Sequence, residues 1–376
     1  MGFSKFSHVK ISAIAGVVPE KVINIDDEIE FYNNNPKLLE RNKKILGLGT
    51  RHVVPEGVTS DDLCEGVANR IFNETNIKRN EIDVLIVVST TNDYTYPSSA
   101  CRLQGKLEFS ENCTCFDMNG GCSYGMHGLL NAYSLVESGV AKKVLLLISD
   151  TPSTCSDIRN RKDVMLFGDS AVGIIVEYTE QETPSYFYTG ACGKSWESIV
   201  KPAGGAKIPI KKDIIDLELI NKDGDVWHLW DSMLQGMDIF KFTMTYGPES
   251  IQKILDYSKF NIEDINFFAI HQANKQIMQT ICKKVGIPEE KYSTETFTKY
   301  ANCGSSSVFT VILDNINKAK DTILLSSFGI GLAWAAAVIK FNDFYNGGIS
   351  IYKKTENVLS RQELIQYWID KFTGEK

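Results

Sequence analysis

The sequence predicts a doubled α/β body layered α/β/α/β/α, and three observations carry that prediction. The 376 residues have the length of two ordinary domains, and 43% hydrophobic against 23% charged residues suffice for a substantial buried core. Short apolar runs rich in Val, Ile and Phe alternate with segments of helical period, as strands buried on both faces alternate with helices. The runs also come in matching pairs. NEIDVLIVVSTT (80–91) has its counterpart in NIEDINFFAIHQA (261–273). KKVLLLISD (142–150) followed by FGDSAVGIIVE (167–177) mirrors DTILLSS (321–327) followed by FGIGLAWAAAVIK (328–340). Ser89 and His271 stand 182 residues apart, Cys122 and Cys303 181, and Phe167 and Phe328 161. One strand-helix unit is therefore used twice, with an extra loop near 151–166 in the first copy.

The first half spans residues 1–180, with helical period at Asp61–Glu74, Ser98–Glu108 and Ser123–Glu137; the second spans 185–340, with helical period at Glu249–Tyr257, Lys275–Val285 and Ser305–Ile316. Alternation of this kind implies mostly parallel sheets with right-handed crossovers. Residues 193–232 break the pattern and read as an inserted lid or cap. Residues 341–376 form a C-terminal extension, in which Ser360 and Glu363 make a capping box ahead of an amphipathic helix; a structural appendage is expected.

Composition excludes several function classes. A net charge of -7 argues against a general nucleic-acid binder, and no apolar run approaches the ~18–20 residues of a membrane span. The N-terminal stretch is too short and mixed for a signal peptide, so a cytoplasmic protein is expected. Nine cysteines without a C-x-x-C pair suit neither a disulfide framework nor a zinc site, and no metal or cofactor is expected.

Cys122 lies in FDMNGGCSYG, where a strand end meets two glycines and then a helix. The glycines permit a tight turn, and a thiol at a helix N-terminus is expected to have a lowered pKa and a nucleophilic thiolate. His271 follows a buried strand and precedes a helix, the position where α/β proteins place functional groups. Asn302, in YANCGSSSVF, occupies the matching turn in the second half. Taken singly, each has a structural alternative: a packed thiol, a core histidine, a helix cap. Together they place a thiol, an imidazole and an amide at adjacent strand ends.

The motifs GGCSYG, HQAN and NCGSSS, in that order, with FGD at Phe167–Asp169 and FGIGLAW at Phe328–Trp334, resemble the ketoacyl-acyl-carrier-protein synthase III family of the thiolase superfamily over about residues 8–340. GLGTRH (47–52) and TTNDYTYPSSACRLQ (90–104) add to the match. The resemblance implies a five-layered doubled fold, a homodimer and a catalytic set of Cys122, His271 and Asn302. It implies that Cys122 takes an acyl group from a thioester of coenzyme A or of a carrier protein's phosphopantetheine. A malonyl thioester then loses carbon dioxide, and the enolate, held by His271 and Asn302, attacks the acyl-Cys. N–H groups of Cys122 and the Gly329–Ile330 turn would hold the oxyanion. Arg161 and Asn274 match substrate-binding positions, and Tyr96 falls where the family projects an aromatic residue into the acyl pocket of the partner subunit. Lys241, Lys275, Lys283 and Lys284 are the expected docking residues for an acidic acyl carrier protein.

The sequence also departs from the family. A Trp and an Arg that clamp adenine in its primer-condensing members are here Arg41 and Ile45; Met237 and Gln276 replace an Asn and a basic residue, and Ile330 replaces a glycine. A specialised substrate, delivered on a carrier protein, is expected. Transfer of the acyl group to a hydroxyl or amine remains the alternative.

Overall fold

Val84–Val88 is buried at every position, and so is Val144–Asp150, the pattern of strands covered on both faces. These two strands lie side by side and parallel in the first of two large sheets. The computed structural model describes residues 2–160, 164–221, 224–355 and 358–374. In chain order the strands of the two sheets are β1 (Phe3–Phe6), β2 (Val9–Pro19), β3 (Val84–Val88), β4 (Thr114–Met118), β5 (Lys143–Asp150), β6 (Ser170–Tyr178), β7 (Ser185–Ala191), β8 (Phe267–Ile270), β9 (Asp321–Gly329), β10 (Ala333–Phe341) and β11 (Tyr345–Tyr352). The first sheet has the order β11-β2-β6-β5-β3-β4 and the second β1-β7-β10-β9-β8.

Helices complete five layers. We label them α1 (Ser60–Glu74), α2 (Ser99–Lys106), α3 (Tyr124–Glu137), α4 (Gly236–Ser258), α5 (Lys275–Val285), α6 (Ser307–Asp314) and α7 (Arg361–Thr373). Residues of α1 and α2 pack on the outer face of the first sheet, and those of α4 and α5 on the outer face of the second. Between the sheets, α3 and α6 share one core with both inner faces, through Met126, Leu129, Tyr133, Phe309 and Ile312 among others. A helix buried on all sides must be largely apolar, which α6 (SVFTVILD) is, and its buried Ser307 and Thr310 hydroxyls are hydrogen-bonded. Small residues let the middle layer close up: an added Cβ on Gly125 would strike the carbonyl of Ser305, at the start of α6.

Three expectations need correction. Among the described residues, five of the nine strand pairings in the two sheets are antiparallel, so the sheets are mixed rather than mostly parallel. For β9 and β10 the reason is their link, Ile330–Leu332, which is far shorter than the dozen or more residues that a parallel crossover needs. Secondly, the halves exchange their ends. Phe3–Phe6 pairs with β7 of the second sheet, while Tyr345–Tyr352 of the C-terminal extension adds a parallel edge strand to β2 of the first. Thirdly, the helix expected from Glu249 begins at Gly236 and carries Pro248 in its interior. A proline inside a helical pattern reads as a start, and here packing overrides it.

The insert at 193–232 holds one small antiparallel pair, Leu219–Ile220 with Val226–Trp227, and pairs its Ile199–Val200 with Met233–Leu234 just beyond its end. It is anchored to the extra loop of the first half by Asp231, which accepts from the N–H of Asp157 at 2.9 Å. The C-terminal helix α7 has its capping box and no buried residue, and Trp368 meets Tyr94 edge-on at 6.1 Å.

The shared core makes a stability prediction. Phe309→Ala, at a fully buried position of α6, should cost about 3–5 kcal/mol in urea denaturation, whereas Phe372→Ala on exposed α7 should change stability by less than about 0.5 kcal/mol.

Candidate active site

The chain leaves β4 through Asn119, Gly120 and Gly121 and turns at Cys122 into α3. Cys122 has φ +31°, a conformation that costs a non-glycine residue energy and is held by its surroundings. Both preceding glycines are required by contact. A Cβ at Gly120 would run into the Tyr124 ring, and one at Gly121 into Cδ1 of Ile330. The Gly-Gly pair and Ile330, far apart in sequence, are thus one packing solution. The carbonyl of Cys122 accepts from Ser327 Oγ at 2.9 Å. A Cβ on Gly329 would lie 2.6 Å from Sγ, so only glycine fits beside the sulfur.

The same segment, Ser326–Ile330, reaches His271. The His271 N–H donates to the Ser326 carbonyl at 2.8 Å, and the imidazole packs edge-on against Phe328 at 5.5 Å and 90°. Burial pulls the His271 pKa down to about 4, so the ring is neutral at pH 7. Its Nδ1 is buried without a hydrogen-bond partner. An orphaned N–H costs more than an orphaned lone pair, and we assign the proton to Nε2.

Asn302 is fixed by its backbone, which donates to Leu166 O at 2.9 Å and accepts from Gly168 N at 3.1 Å. Its Oδ1 accepts from Gly304 N at 3.1 Å, which leaves Nδ2 as the donor end of the amide. The Gln272 N–H donates to Ser307 Oγ at 2.9 Å and so ties the histidine turn to the start of α6. The thiol, the imidazole and the amide therefore sit at the N-terminal ends of α3, α5 and α6, joined through Ser326–Ile330 and the NCGSSS turn.

One electrostatic expectation is overturned. Rather than being lowered by the helix, the Cys122 pKa is pushed up to about 12, chiefly by burial. The Ile330 N–H, hydrogen-bonded to the sulfur, pulls in the opposite direction, and the charge of Asp150 adds to the rise. Desolvation dominates because the sulfur is enclosed by Gly329 and the Ile330 turn. At neutral pH Cys122 is a thiol rather than a thiolate.

Other predicted residues fall in varied places. Asn274 caps α5, its side chain accepting from Ile277 N at 2.9 Å, and stands at the mouth-side end of that helix. Tyr96 is 84% exposed on the loop before α2. Arg161 lies outside the described residues. The four lysines do not form one patch. Lys275 opens α5 next to the site, whereas Lys283 and Lys284 occupy its last turn, roughly 12 Å away at 1.5 Å per residue. Lys241 is exposed and pairs with Asp238 at 3.5 Å. Lys284 Nζ donates to Met244 O at 2.8 Å, the carbonyl that loses its helical partner because Pro248 has no N–H. Lys284 thus repairs a helix break.

Sequence reasoning missed Asp150, Ser305 and Ser327, which hold the turns together from underneath. Their signal was present in the terminal Asp of KKVLLLISD, the serine run of NCGSSS and the last Ser of DTILLSS, but none of these names its partner.

Family models described as 3-oxoacyl-[acyl-carrier-protein (ACP)] synthase III and its C-terminal part match residues 116–191 and 255–341. A putative 3-oxoacyl-[acyl-carrier-protein] synthase 3 of Campylobacter jejuni is 34% identical over 352 residues, covering 93% of this chain and 99% of that protein. The β-ketoacyl-[acyl-carrier-protein] synthase III of Fusobacterium nucleatum is 29% identical, with 89% and 98% covered. Among solved structures, a 3-oxoacyl-(acyl-carrier protein) synthase from Burkholderia xenovorans superposes with TM-score 0.85 at 25% identity over 93% of this chain and 99% of that one.

The neutral thiol predicts that iodoacetamide alkylation of Cys122, followed by mass spectrometry, accelerates about tenfold per pH unit up to at least pH 10. A plateau near pH 7 would contradict the enclosed sulfur.

Proposed function

The chain belongs to the 3-oxoacyl-[acyl-carrier-protein] synthase III family, and from that premise we propose that it condenses an acyl group with a malonyl carrier protein in a specialised fatty-acid or polyketide-type pathway. The observation that carries this reading is the joint placement of Cys122, His271 and Asn302 at three helix N-termini.

In the first step the Cys122 sulfur bonds to the acyl carbon, the carrier thiol leaves, and the thiol proton departs with it. The Ile330 N–H stands beside the reacting sulfur to stabilise the oxyanion. In the second step the malonyl thioester loses carbon dioxide, and Nε2–H of His271 with Nδ2–H of Asn302 hold the enolate oxygen. The carbanion then bonds to the acyl carbon and Cys122 leaves, taking one proton from solvent. Imidazole that stays neutral can donate at this oxygen without protonating the carbanion. No metal or cofactor enters this chemistry; the substrates are thioesters of coenzyme A or of a carrier's phosphopantetheine. The family to which the chain belongs supports condensation over transfer to a hydroxyl or amine.

Carrier delivery of the first acyl group is supported by the helix Pro36–Leu46, where Arg41 and Ile45, in place of the adenine clamp, lie exposed. Lys275, with Lys241, is the basic candidate for meeting an acidic carrier. We also read the protein as a homodimer: Tyr96 is exposed, and β4 is an edge strand whose Phe116 and Met118 are only half-buried. A cytoplasmic setting is supported by nine free cysteines.

Two sets of variants test these assignments. Cys122→Ala should abolish the acyl adduct in intact-protein mass spectrometry, whereas Asn302→Ala should retain the adduct and slow carbon dioxide release by about 10²–10³-fold. An Asn302→Ala enzyme that condenses at the normal rate would remove the amide from the mechanism. For docking, Lys275→Glu should raise KM for carrier-bound substrate several-fold, on the order of 1 kcal/mol, and spare small thioesters. Lys284→Glu should instead lower Tm.

A further inference from the structure

Beneath the three catalytic residues, β3, β5, the Cys122 turn and the Asn302 turn meet at a single buried carboxylate. Asp150, at the end of β5, is 2% exposed. Its Oδ1 accepts from the N–H and Oγ1 of Thr90 at 2.8 and 2.7 Å, and its Oδ2 from the N–H and Oγ of Ser305 at 2.9 and 2.6 Å. Two donors at each oxygen satisfy the carboxylate on both sides. Ser305 Oγ also lies 3.1 Å from the Gly120 carbonyl, two residues before the nucleophile. Between Ser305 and Asn302 stands Gly304, at φ +58°, where an added Cβ would lie 2.5 Å from Asp150 Oδ2. The Gly304 N–H in turn holds Asn302 Oδ1.

These bonds run in a continuous line from the strand end at Thr90, through Asp150 and Ser305, to the Cys122 turn on one side and the Asn302 amide on the other. We propose that Asp150 and Ser305 are positioning residues that set the separation between Cys122 and Asn302, and that they act on the condensation step rather than on acylation. This rests on the condensing reading above.

The asymmetry between the two steps comes from the other anchors of each group. Cys122 has independent anchors in the Ser327 hydroxyl and the Ile330 turn. Acylation needs the sulfur and the Ile330 N–H, so it survives a slack strut. The amide of Asn302 is oriented through Gly304, whose neighbour Ser305 is what Asp150 grips. A shift of this turn moves Nδ2 from the enolate oxygen, and misplacement by ~1 Å can cost ~10²-fold in rate. Asp150 touches no substrate atom in this arrangement and exchanges no proton with one.

The test separates the half-reactions. Ser305→Ala removes one hydroxyl and leaves the carboxylate and the backbone bond in place. Acyl-Cys122 formation, followed by intact mass, should stay within about twofold of the unaltered protein, while carbon dioxide release from malonyl carrier falls at least about tenfold in kcat with little change in KM. Asp150→Asn, which must aim an amide N–H at the donors of Thr90 or Ser305, should show the same partition with a larger loss. If both half-reactions fall by the same factor in Ser305→Ala, or if neither falls, the positioning role is wrong. An Asp150→Asn protein that does not fold leaves the decision with Ser305→Ala. An unaltered protein that forms the adduct but releases no carbon dioxide would instead overturn the condensing reading itself, so the two failures are distinguishable.

Discussion

The contact between the starts of two buried helices governs this molecule. The middle-layer helices Tyr124–Glu137 and Ser307–Asp314 come from different halves of the chain, and their N-terminal turns touch where the missing side chain of Gly125 leaves room for the Ser305 carbonyl. Helices buried between two sheets cannot leave their first N–H groups to water, and polar partners must be built in. Ahead of Ser307–Asp314, Asp150 takes the Ser305 N–H, while the Ser305 hydroxyl reaches the Gly120 carbonyl and Ser307 Oγ takes the Gln272 N–H. The site occupies the crevice that this junction creates, so the groups that satisfy the helix ends also aim the reactive residues.

Enclosure of the sulfur has a double effect. The Gly329–Ile330 turn lies against Cys122 closely enough to place an N–H on the sulfur, and the same closeness strips water from it. The thiol stays protonated at rest, and the imidazole stays neutral for the same reason. Desolvation thus sets both protonation states, and each suits the step proposed for it: a thiol whose proton leaves with the carrier thiol, and an N–H donor that does not quench a carbanion. Ile330 belongs to this arrangement as well, since its side chain fills the space that Gly121 leaves open.

Parts of the chain that look alike in sequence do different work. Lys275 and Lys284 share a helix and a charge, yet one stands next to the catalytic turn and the other caps a carbonyl orphaned by Pro248 on the neighbouring helix. Tyr345–Tyr352, within what reads as an appendage, closes the first sheet by pairing with Val9–Pro19. Because Phe3–Phe6 joins the second sheet and Tyr345–Tyr352 the first, each sheet carries a strand from outside its own half.

The doubled α/β plan was legible in the sequence because strands buried on both faces must be continuously apolar, and paired runs such as 142–150 and 321–327 repeat that constraint. Cys122, His271 and Asn302 were legible because each sits where a strand end meets a helix start, a boundary marked by glycines and polar residues. Features that depend on pairings distant in sequence were not legible. The direction of the strands depended on the shortness of the Ile330–Leu332 link and on which edges met, and the Asp150–Ser305 bond spans 155 residues. The raised pKa of Cys122 was hidden for the same reason. Local sequence shows the helix dipole beside the thiol, but the water that the second half removes is decided only when residues 326–330 close over residue 122.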